Sequence, residues 1–383
     1  MLGLERAVVP LIASREFGIA SVSASLAFIV SFGVVKALAN LIAGRASDQI
    51  GRRPLLIAGW LAGIPVPWVI IFAPSWGWVV LANILLGVNQ GLCWSAAVIM
   101  KIDLAGPTRR GLATGMNEFA GYLAMALSTA ASGWIAYRTA LRPYPFYLGA
   151  AIAVIALLLS VIFVRETRDI ALLEAVHPTH GPQQSSLSFR AVFKRVTWQD
   201  VAFFRLSQAG FVNNLNDVVS WGLLPLLAVQ RGSTVQQAAL LGGTYLAVWG
   251  ASQLGTGPLS DRIGRQPLIA GGLWLQALGI ALLGMLADPG GWIVAVVLMG
   301  LGTGMAYPAL LAAVSDRAHP PWRASALGVY RFWRDGGYAA GAVLAGLLSD
   351  WLGVPAAIVA IAALTAASGT MVVAHRRVTV PAP

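Results

Sequence analysis

Charged residues are scarce in this sequence of 383 residues. Asp, Glu, Lys and Arg make up 11% of the chain, whereas an ordinary soluble domain contains about 25%. Apolar residues make up 57%. A soluble protein needs a charged, mixed surface to stay dispersed, and this chain has too few charges to form one. We therefore expect most of its surface to face a lipid bilayer.

The sequence signals of several functional classes are missing too. Cys93 is the one cysteine, so the chain can form neither an internal disulfide nor a cage of thiolate ligands. The sequence contains neither the G-x-x-x-x-G-K-[ST] phosphate-binding loop nor the G-x-S-x-G nucleophile motif. These absences argue against an ATP-driven pump and against an enzyme, and we expect no cofactor and no metal site.

The net charge is nevertheless +11, because 26 Lys and Arg residues outnumber 15 Asp and Glu residues. Nucleic-acid-binding proteins cluster such residues on one solvent-exposed face. Here they occur singly or in pairs between long apolar runs. We therefore expect no nucleic-acid partner.

The apolar runs are long enough to be transmembrane helices, which need about 20 residues each. The segment 1–14 is apolar but about half that length, and we interpret it as the outer half of a first helix truncated at its N-terminus. The alternative is a naturally short first helix. The sequence thus predicts an all-α polytopic membrane protein with two pseudo-symmetric six-helix lobes. The eleven full spans lie near residues 20–43, 54–73, 76–100, 111–137, 145–164, 201–229, 237–257, 267–287, 291–315, 324–349 and 351–374.

Apart from four that lie deep in the apolar segments, the basic residues are divided unevenly between the two sides, with 18 in the loops and span ends of one side and 4 on the other. Lys and Arg accumulate in cytoplasmic loops, so we expect the richer side, which includes the C-terminus, to be cytoplasmic. The location expected is the cell membrane, which in a bacterium is the inner membrane.

The longest polar stretch divides the chain into two halves. We expect an N-terminal lobe over 1–164, a cytoplasmic linker over 165–200, a C-terminal lobe over 201–375 and a cytoplasmic tail over 376–383. Within the linker, apolar residues such as Phe189 and Phe193 stand among basic residues. This pattern predicts an amphipathic helix on the inner leaflet.

The two halves are related in sequence. The segment GRASDQIGRRPL at 44–55 matches GPLSDRIGRQPL at 257–268, and eight of the twelve positions are identical. Duplicated halves with a site between them are a recurring architecture of transporters. The same offset pairs Asn40 with Gln253, Gly87 with Gly300, Gly91 with Gly304 and Asp103 with Asp316.

The repeated segment resembles the signature loop of the major facilitator superfamily, G-x-L-[AS]-D-[RK]-x-G-R-[RK]. The resemblance covers essentially the whole chain and implies two lobes that rock about a central site. It also implies that the loop is a conformational latch that holds the cytoplasmic side closed. The latch residues are Gly44, Asp48, Gly51, Arg52 and Arg53 in the first copy and Gly257, Asp261, Gly264 and Arg265 in the second.

The chemistry of the loop suits this role. Asp48 can bind a helix N-terminus or an arginine, and Gly51 permits a tight turn. Arg52 and Arg53 could instead reflect only the charge bias of cytoplasmic loops.

Ionisable residues inside membrane spans are costly and are therefore candidate functional residues. Four positive and four negative residues occur there, which suggests mutual pairing. With polar neighbours at helical spacing, they predict a cavity for substrate and protons. Its expected residues are Glu5, Arg6, Asn89, Gln90, Trp94, Glu118, Tyr122, Asn213, Asp217, Arg331, Arg334, Asp335 and Tyr338.

Some of these assignments have alternatives. Arg331 and Asp335 could form a structural ion pair instead of lining the cavity. The eighth ionisable residue, Lys36, could either function in the membrane or extend to its surface. Glu118 and Asp217 are the candidates for proton binding, because burial favours the neutral form of a carboxyl group.

These residues predict a monomeric secondary transporter for a small polar or amphipathic solute, coupled to protons and working in export. The arginines of helix eleven suggest an anionic or zwitterionic group in the solute. The resemblance has gaps, because Gly87 stands where many proton-coupled members have an arginine and Gly121-Tyr122 stands where antiporters often have Gly-Pro. A proton-coupled importer, a uniporter and a membrane sensor or scaffold without transport are the alternatives.

Overall fold

Helices dominate the fold, as expected of a chain whose backbone must satisfy its own hydrogen bonds in lipid. The fold comes from a computed structural model that describes residues 1–105, 110–167, 187–318 and 322–374. The described N-terminal half contains six helical segments. These are α1 Leu2–Arg15, α2 Val22–Ser25 with Ala27–Ile50, α3 Arg52–Ile71, α4 Trp76–Ala105, α5 Arg110–Arg138 and α6 Tyr144–Ile162.

The described C-terminal half again contains six segments, and the first of them is interrupted by a π-helical turn at Val219–Leu223. The segments are α7 Val201–Leu215 with Leu224–Gln230, α8 Val235–Ile263, α9 Arg265–Met285, α10 Pro289–Arg317, α11 Arg323–Leu352 and α12 Val354–Val373.

Seven of the described helices are long and apolar enough to cross a membrane, namely α3, α4, α5, α6, α9, α10 and α12. The other segments depart from a plain apolar span. The helix α1 has 14 residues, α7 contains the π-helical turn, and α11 carries three charged side chains near its middle. These three helices carry six of the eight ionisable residues that the sequence singles out, namely Glu5, Arg6, Asp217, Arg331, Arg334 and Asp335.

The internal repeat extends to the packing of the helices. Gly91 of α4 lies so close to Ala39 of α2 that a Cβ on the glycine would clash with it. Gly304 of α10 meets Ser252 of α8 in the same way. Ala39 and Ser252 are themselves related by the offset of the repeat. Both lobes therefore use the same close crossing of helices at a small residue.

The two lobes touch along α5 and α8 over only part of their length. A Cβ on Gly250 of α8 would lie 3.0 Å from the Cβ of Tyr122 on α5. Further along the same helices, a Cβ on Gly115 or Gly255 would have no described atom within 4 Å. The helices thus separate toward the end of the molecule where α2 meets α3 and α8 meets α9, which we call the signature-loop side.

At the opposite end, which we call the far side, α11 is tied to the start of α2. Asp350 accepts hydrogen bonds from the Ser21 hydroxyl at 2.8 Å and from the Val22 and Ser23 amides at 2.6 and 3.2 Å. A carboxylate is stabilised there because the first amides of a helix are unpaired donors. This contact between the lobes helps to close the far side.

The described part of the linker contains a short helix, Phe189–Lys194, followed by a π-helical turn, Arg195–Gln199. Val192 and Val196 are fully buried in a core cluster with residues of α7, α10 and α11. Phe189 and Trp198 are exposed. Part of the apolar face that was expected on the membrane is thus packed against the C-terminal lobe.

Substitution of Gly302 tests the packing of the helices. A Cβ there would lie 2.5 Å from the backbone of both Gln276 and Gly272, so α9 and α10 would have to move apart. We expect Gly302→Ala to cost about 1–3 kcal/mol, the usual range for overpacking. Thermal unfolding in detergent measures it.

The matched control is Gly255→Ala, because a Cβ at that position has free space in the described structure and alanine favours a helix. Its melting temperature should equal or exceed that of the wild type. Equal losses in the two variants would contradict the packing described here.

Candidate functional site

A cavity lies between the lobes and is lined by side chains from both. The α11 residues project into it because their spacing places them on one helical face. Four of the lining side chains are aromatic and four are ionisable. The described lining residues are Leu2, Lys36, Asn40, Gln90, Trp94, Tyr122, Met125, Tyr307, Arg331, Arg334, Asp335 and Tyr338.

Asp335 connects the two lobes within this cavity. Its carboxylate accepts a hydrogen bond from Arg334 at 3.0 Å on the same helix and one from the Asn40 amide of α2 at 2.5 Å. The Lys36 ammonium of α2 lies 3.9 Å away and 4.8 Å from the ring centroid of Tyr338. One carboxylate of α11 therefore holds two polar residues of α2.

Lys36 is buried between the helices. Its side chain is 11% exposed, and α2 continues to Ile50, so the lysine lies well inside the helix. The sequence left this residue undecided. The structure places it in the cavity.

Arg334 is buried, but only one of its three guanidinium nitrogens has a hydrogen-bond partner among the described residues. Its side chain is 6% exposed, and its Nη1 atom binds Asp335. The Nε and Nη2 atoms have no hydrogen-bond partner among the described residues. The guanidinium carbon lies 4.1 Å from the ring centroid of Tyr307, a distance that favours a cation–π contact.

Arg331 lines the cavity one helical turn before Arg334. It forms no ion pair with any residue in the described ranges. In particular, the structural pair of Arg331 with Asp335 that the sequence left open is not formed, because Asp335 binds Arg334, Lys36 and Asn40 instead.

Glu118 lies beside the cavity and is bonded to one of its walls. Its Oε1 atom accepts hydrogen bonds from the Trp94 indole at 3.1 Å and from the Asn117 amide at 3.3 Å. The Oε2 atom is buried and has no partner in the described structure. Asn117 in turn accepts a hydrogen bond from Lys101, which is exposed at the end of α4 toward the signature-loop side.

A second buried ion pair joins the lobes through α1 and α7. Arg6 donates to both carboxylate oxygens of Asp217, at 3.1 Å from Nη1 to Oδ1 and through Nη2 to Oδ2. The two side chains are 2% and 1% exposed, and the guanidinium lies 5.0 Å from the ring of Trp221. Neighbouring Glu5 is buried, with no hydrogen-bond partner for either oxygen among the described residues.

Two predicted cavity residues lie within single lobes instead. The Asn89 amide donates to the carbonyl of Gly59 at 2.9 Å and so joins α4 to α3. The Asn213 amide donates to Gln276 at 3.1 Å and so joins α7 to α9. Each amide satisfies a hydrogen bond between packed helices, so neither residue lies in the described lining of the cavity.

Sequence reasoning missed several lining residues, Tyr307 among them. The repeat offers a signal that finds it, because the offset of the two halves relates Trp94 to Tyr307. Both side chains line the cavity. The same offset relates Glu118 to Arg331. The charge has thus changed sign at equivalent positions of α5 and α11.

The two signature loops share one turn geometry. Gly51 and Gly264 have φ angles of +96° and +93°, where a side chain would be strained. The Glu166 carboxylate accepts hydrogen bonds from the Arg52 and Arg53 amides, both at 3.0 Å, at the start of α3. The surroundings of two predicted latch residues, Gly44 and Asp48, lie outside what the structure describes.

Equivalent arginines of the two loops bind equivalent carboxylates. The distance from Arg52 Nε to Asp103 Oδ2 and that from Arg265 Nε to Asp316 Oδ2 are both 3.1 Å. Arg265 also binds Asp261, at 2.5 Å. In this conformation Arg52 and Arg265 therefore bind acids of their own lobes.

The described residues contain no group of three or more His, Cys, Asp or Glu side chains that could hold a metal ion. What the arrangement offers instead is a cavity with charged groups of both signs.

Comparisons with known proteins agree with this architecture. The Major Facilitator Superfamily model matches residues 5–215 and 206–383. An uncharacterised MFS-type transporter of Salmonella typhimurium is 23% identical over 365 residues, which cover 92% of this chain and 87% of that protein. The class G tetracycline resistance protein of Vibrio anguillarum is 27% identical over 280 residues, which cover 71% of this chain and 67% of that protein.

Solved structures share the fold. A POT family transporter in complex with a thioalcohol-conjugated peptide aligns with a TM-score of 0.76 at 14% identity, covering 97% of this chain and 92% of that one. At such low identity the likeness concerns the fold alone. With the helices described above, these matches confirm the fold class predicted from the sequence.

The ion pair between α1 and α7 can be tested by a double-mutant cycle. Asp217→Asn leaves the buried Arg6 without its counter-ion, and we expect a loss of about 3–5 kcal/mol in the free energy of unfolding. Adding Arg6→Met removes the uncompensated charge and should recover much of the lost stability. Thermal unfolding in detergent gives the coupling energy. Strictly additive losses would contradict the pairing.

The two loop arginine pairs should differ in strength, because their surroundings differ. The Asp103 side chain is 9% exposed and that of Asp316 is 61% exposed. Solvent screens an exposed pair, which contributes at most about 1 kcal/mol. We therefore expect Asp103→Asn to lower the melting temperature clearly and Asp316→Asn to change it little. A larger loss from Asp316→Asn than from Asp103→Asn would show that burial does not determine how much each pair contributes to stability.

Proposed function

We propose that this chain, which belongs to the Major Facilitator Superfamily, is a secondary active transporter that moves a small polar or amphipathic solute by alternating access. The observation that carries this proposal is the cavity between the lobes, whose ionisable side chains come from both halves. A fixed site between two repeated halves can open to either side when one lobe rocks against the other.

The arrangement of the lobes supports one end state of such a cycle. On the far side, Asp350 ties α11 to α2. On the signature-loop side, α5 and α8 separate beyond Tyr122 and Gly250. We take the signature-loop side to be cytoplasmic, because the basic loops accumulate there. The state described is then inward-open, which agrees with latch arginines that bind acids of their own lobes.

Glu118 is the group that we propose for proton coupling. It is buried, it is bonded to Trp94 of the cavity wall, and one of its oxygens has no described partner. A bare charge in such surroundings is costly, and a proton removes it. Asp217 is less suited to this role in the described state, because Arg6 already compensates its charge.

Export is the direction that we propose. The support comes from one relative, the Vibrio anguillarum protein that is named for tetracycline resistance. A membrane scaffold is the less favoured candidate. Buried charges destabilise a protein in lipid, and a protein without transport would gain nothing from them.

Flux measurements in liposomes test the coupling. For a proton-coupled exporter that works by antiport, an outward proton gradient should drive solute into vesicles that are acidic inside. Glu118→Gln should reduce this uptake to the level of empty liposomes and leave exchange without a gradient intact, because the amide cannot carry the proton. Uptake that needs an acidic exterior would instead indicate symport.

The control for this experiment is Glu16→Gln, which changes the same residue type at the exposed end of α1. This carboxylate pairs with Arg142, at 2.5 Å and outside the cavity. Gradient-driven uptake by the control should match the wild type. If flux in the wild type is indifferent to pH, the proposal of proton coupling is wrong.

A further inference from the structure

We infer that the solute is an organic anion whose carboxylate binds the free Nε–Nη2 edge of Arg334, with Arg331 beside it and an aromatic wall around its apolar body. This inference rests on the proposed function, because it names the class of solute that the same cavity would carry. Three features of the cavity point to such a solute: the unpartnered donors of Arg334, the excess of positive charge in the lining and the aromatic side chains of the wall.

The unpartnered donors of Arg334 have the geometry of a carboxylate site. The Nε–H and one Nη2–H bond of a guanidinium point in the same direction, and this edge matches the two oxygens of a carboxylate. Here the Nη1 atom is occupied by Asp335, and the Nε and Nη2 atoms have no partner among the described residues. Buried donors are nearly always satisfied, so an acceptor is expected at this edge, and a carboxylate matches both its geometry and its charge.

Arg334 is also held in place before any solute binds. Asp335 fixes one end of the guanidinium at 3.0 Å, and Tyr307 lies against its face at 4.1 Å. A site that is already oriented spends less of its binding energy on ordering a flexible side chain. This arrangement distinguishes Arg334 from an arginine that is merely buried.

The charges that line the cavity favour an anion. Lys36, Arg331 and Arg334 are positive and Asp335 is negative, so the described lining carries two more positive charges than negative ones. An excess of one sign in a site of low dielectric attracts the opposite charge strongly. An anionic solute would reduce this excess, whereas a cation would increase it.

The remaining wall suits an apolar body. Trp94, Tyr122, Tyr307 and Tyr338 supply four aromatic rings to the same cavity. Aromatic side chains bind rings and alkyl groups through large, rigid contact surfaces. The solute expected from these contacts has one acidic end and one apolar end.

A zwitterion is the less favoured alternative. It would need a carboxylate in the cavity wall to receive its ammonium group. Asp335 already binds three groups, and Glu118, although its Oε2 atom has no described partner, lies outside the described lining. Among the residues of the described lining, free donors for an anion are therefore present, whereas the one carboxylate is already bonded.

Binding of matched ligand series to the purified full-length protein tests this inference. Each series keeps the apolar body and changes only the head group: benzoate, benzamide and benzylamine; indole-3-acetate, indole-3-acetamide and tryptamine; hexanoate, hexanamide and hexylamine. Thermal stabilisation at millimolar ligand, followed by calorimetry, should detect at least one carboxylate and favour it over its amide and its amine. If no carboxylate binds, or if an amine or amide binds better, the inference is wrong.

Variants of the two arginines locate the site. Arg334→Lys keeps the positive charge but lacks the two-donor edge, and we expect it to bind the carboxylate about tenfold or more weakly. Arg331→Gln should weaken binding through loss of charge. The control Arg231→Gln, at an exposed turn, should bind as the wild type does. Wild-type affinity in Arg334→Lys would overturn the assignment of that edge.

Flux of the same compounds separates this inference from the proposed function. If the carboxylates bind but none crosses the liposome membrane through the protein, transport is refuted and the anion site stands. If an amide or amine is carried and the carboxylates are not, transport stands and the anion assignment is refuted. If carboxylates are carried and Arg334→Lys slows them, both are supported.

Discussion

The structure depends above all on the cost of a bare charge in a medium of low dielectric. Two ion pairs between the lobes offset this cost by placing opposite charges together. They are Arg6 with Asp217 and Lys36 with Asp335. In both pairs the base belongs to the N-terminal lobe and the acid to the C-terminal lobe. Neither lobe can therefore turn away from the other without exposing opposite charges, and the charges that stabilise the closed far side also oppose its opening.

This constraint connects binding with movement. A lobe that rocks must give each separated charge a new partner, and the available partners are water, a proton or a solute. Asp335 lies where such an exchange is most direct, because it binds Arg334 as well as two residues of α2. A solute carboxylate at the free edge of Arg334 would share that guanidinium with Asp335, so its binding energy can contribute to the change of state.

The helices and the repeat could be predicted from the sequence because both leave local signals, namely apolar length and a constant offset between the halves. The rotation of each helix about its own axis, which decides what each side chain contacts, could not be predicted from the sequence. Asn89 and Gln90 are adjacent, yet one bonds to α3 within its lobe and the other lines the cavity. Periodicity identifies a polar face but not the helix opposite it. Lys36 was undecided for the same reason, since its depth depends on where α2 ends.

The repeat explains both the symmetry of the framework and the asymmetry of the site. Positions that pack helices have kept their character, as in the glycine crossings and in the loop pairs of Arg52 and Arg265. Positions at the cavity and beside it have diverged, and Glu118 beside the cavity in one lobe corresponds to Arg331 in the lining from the other. A symmetric cavity would bind a solute in two equivalent orientations. Opposite charges at equivalent positions make the two sides of the site unlike, so a solute with one charged end would bind in one preferred orientation.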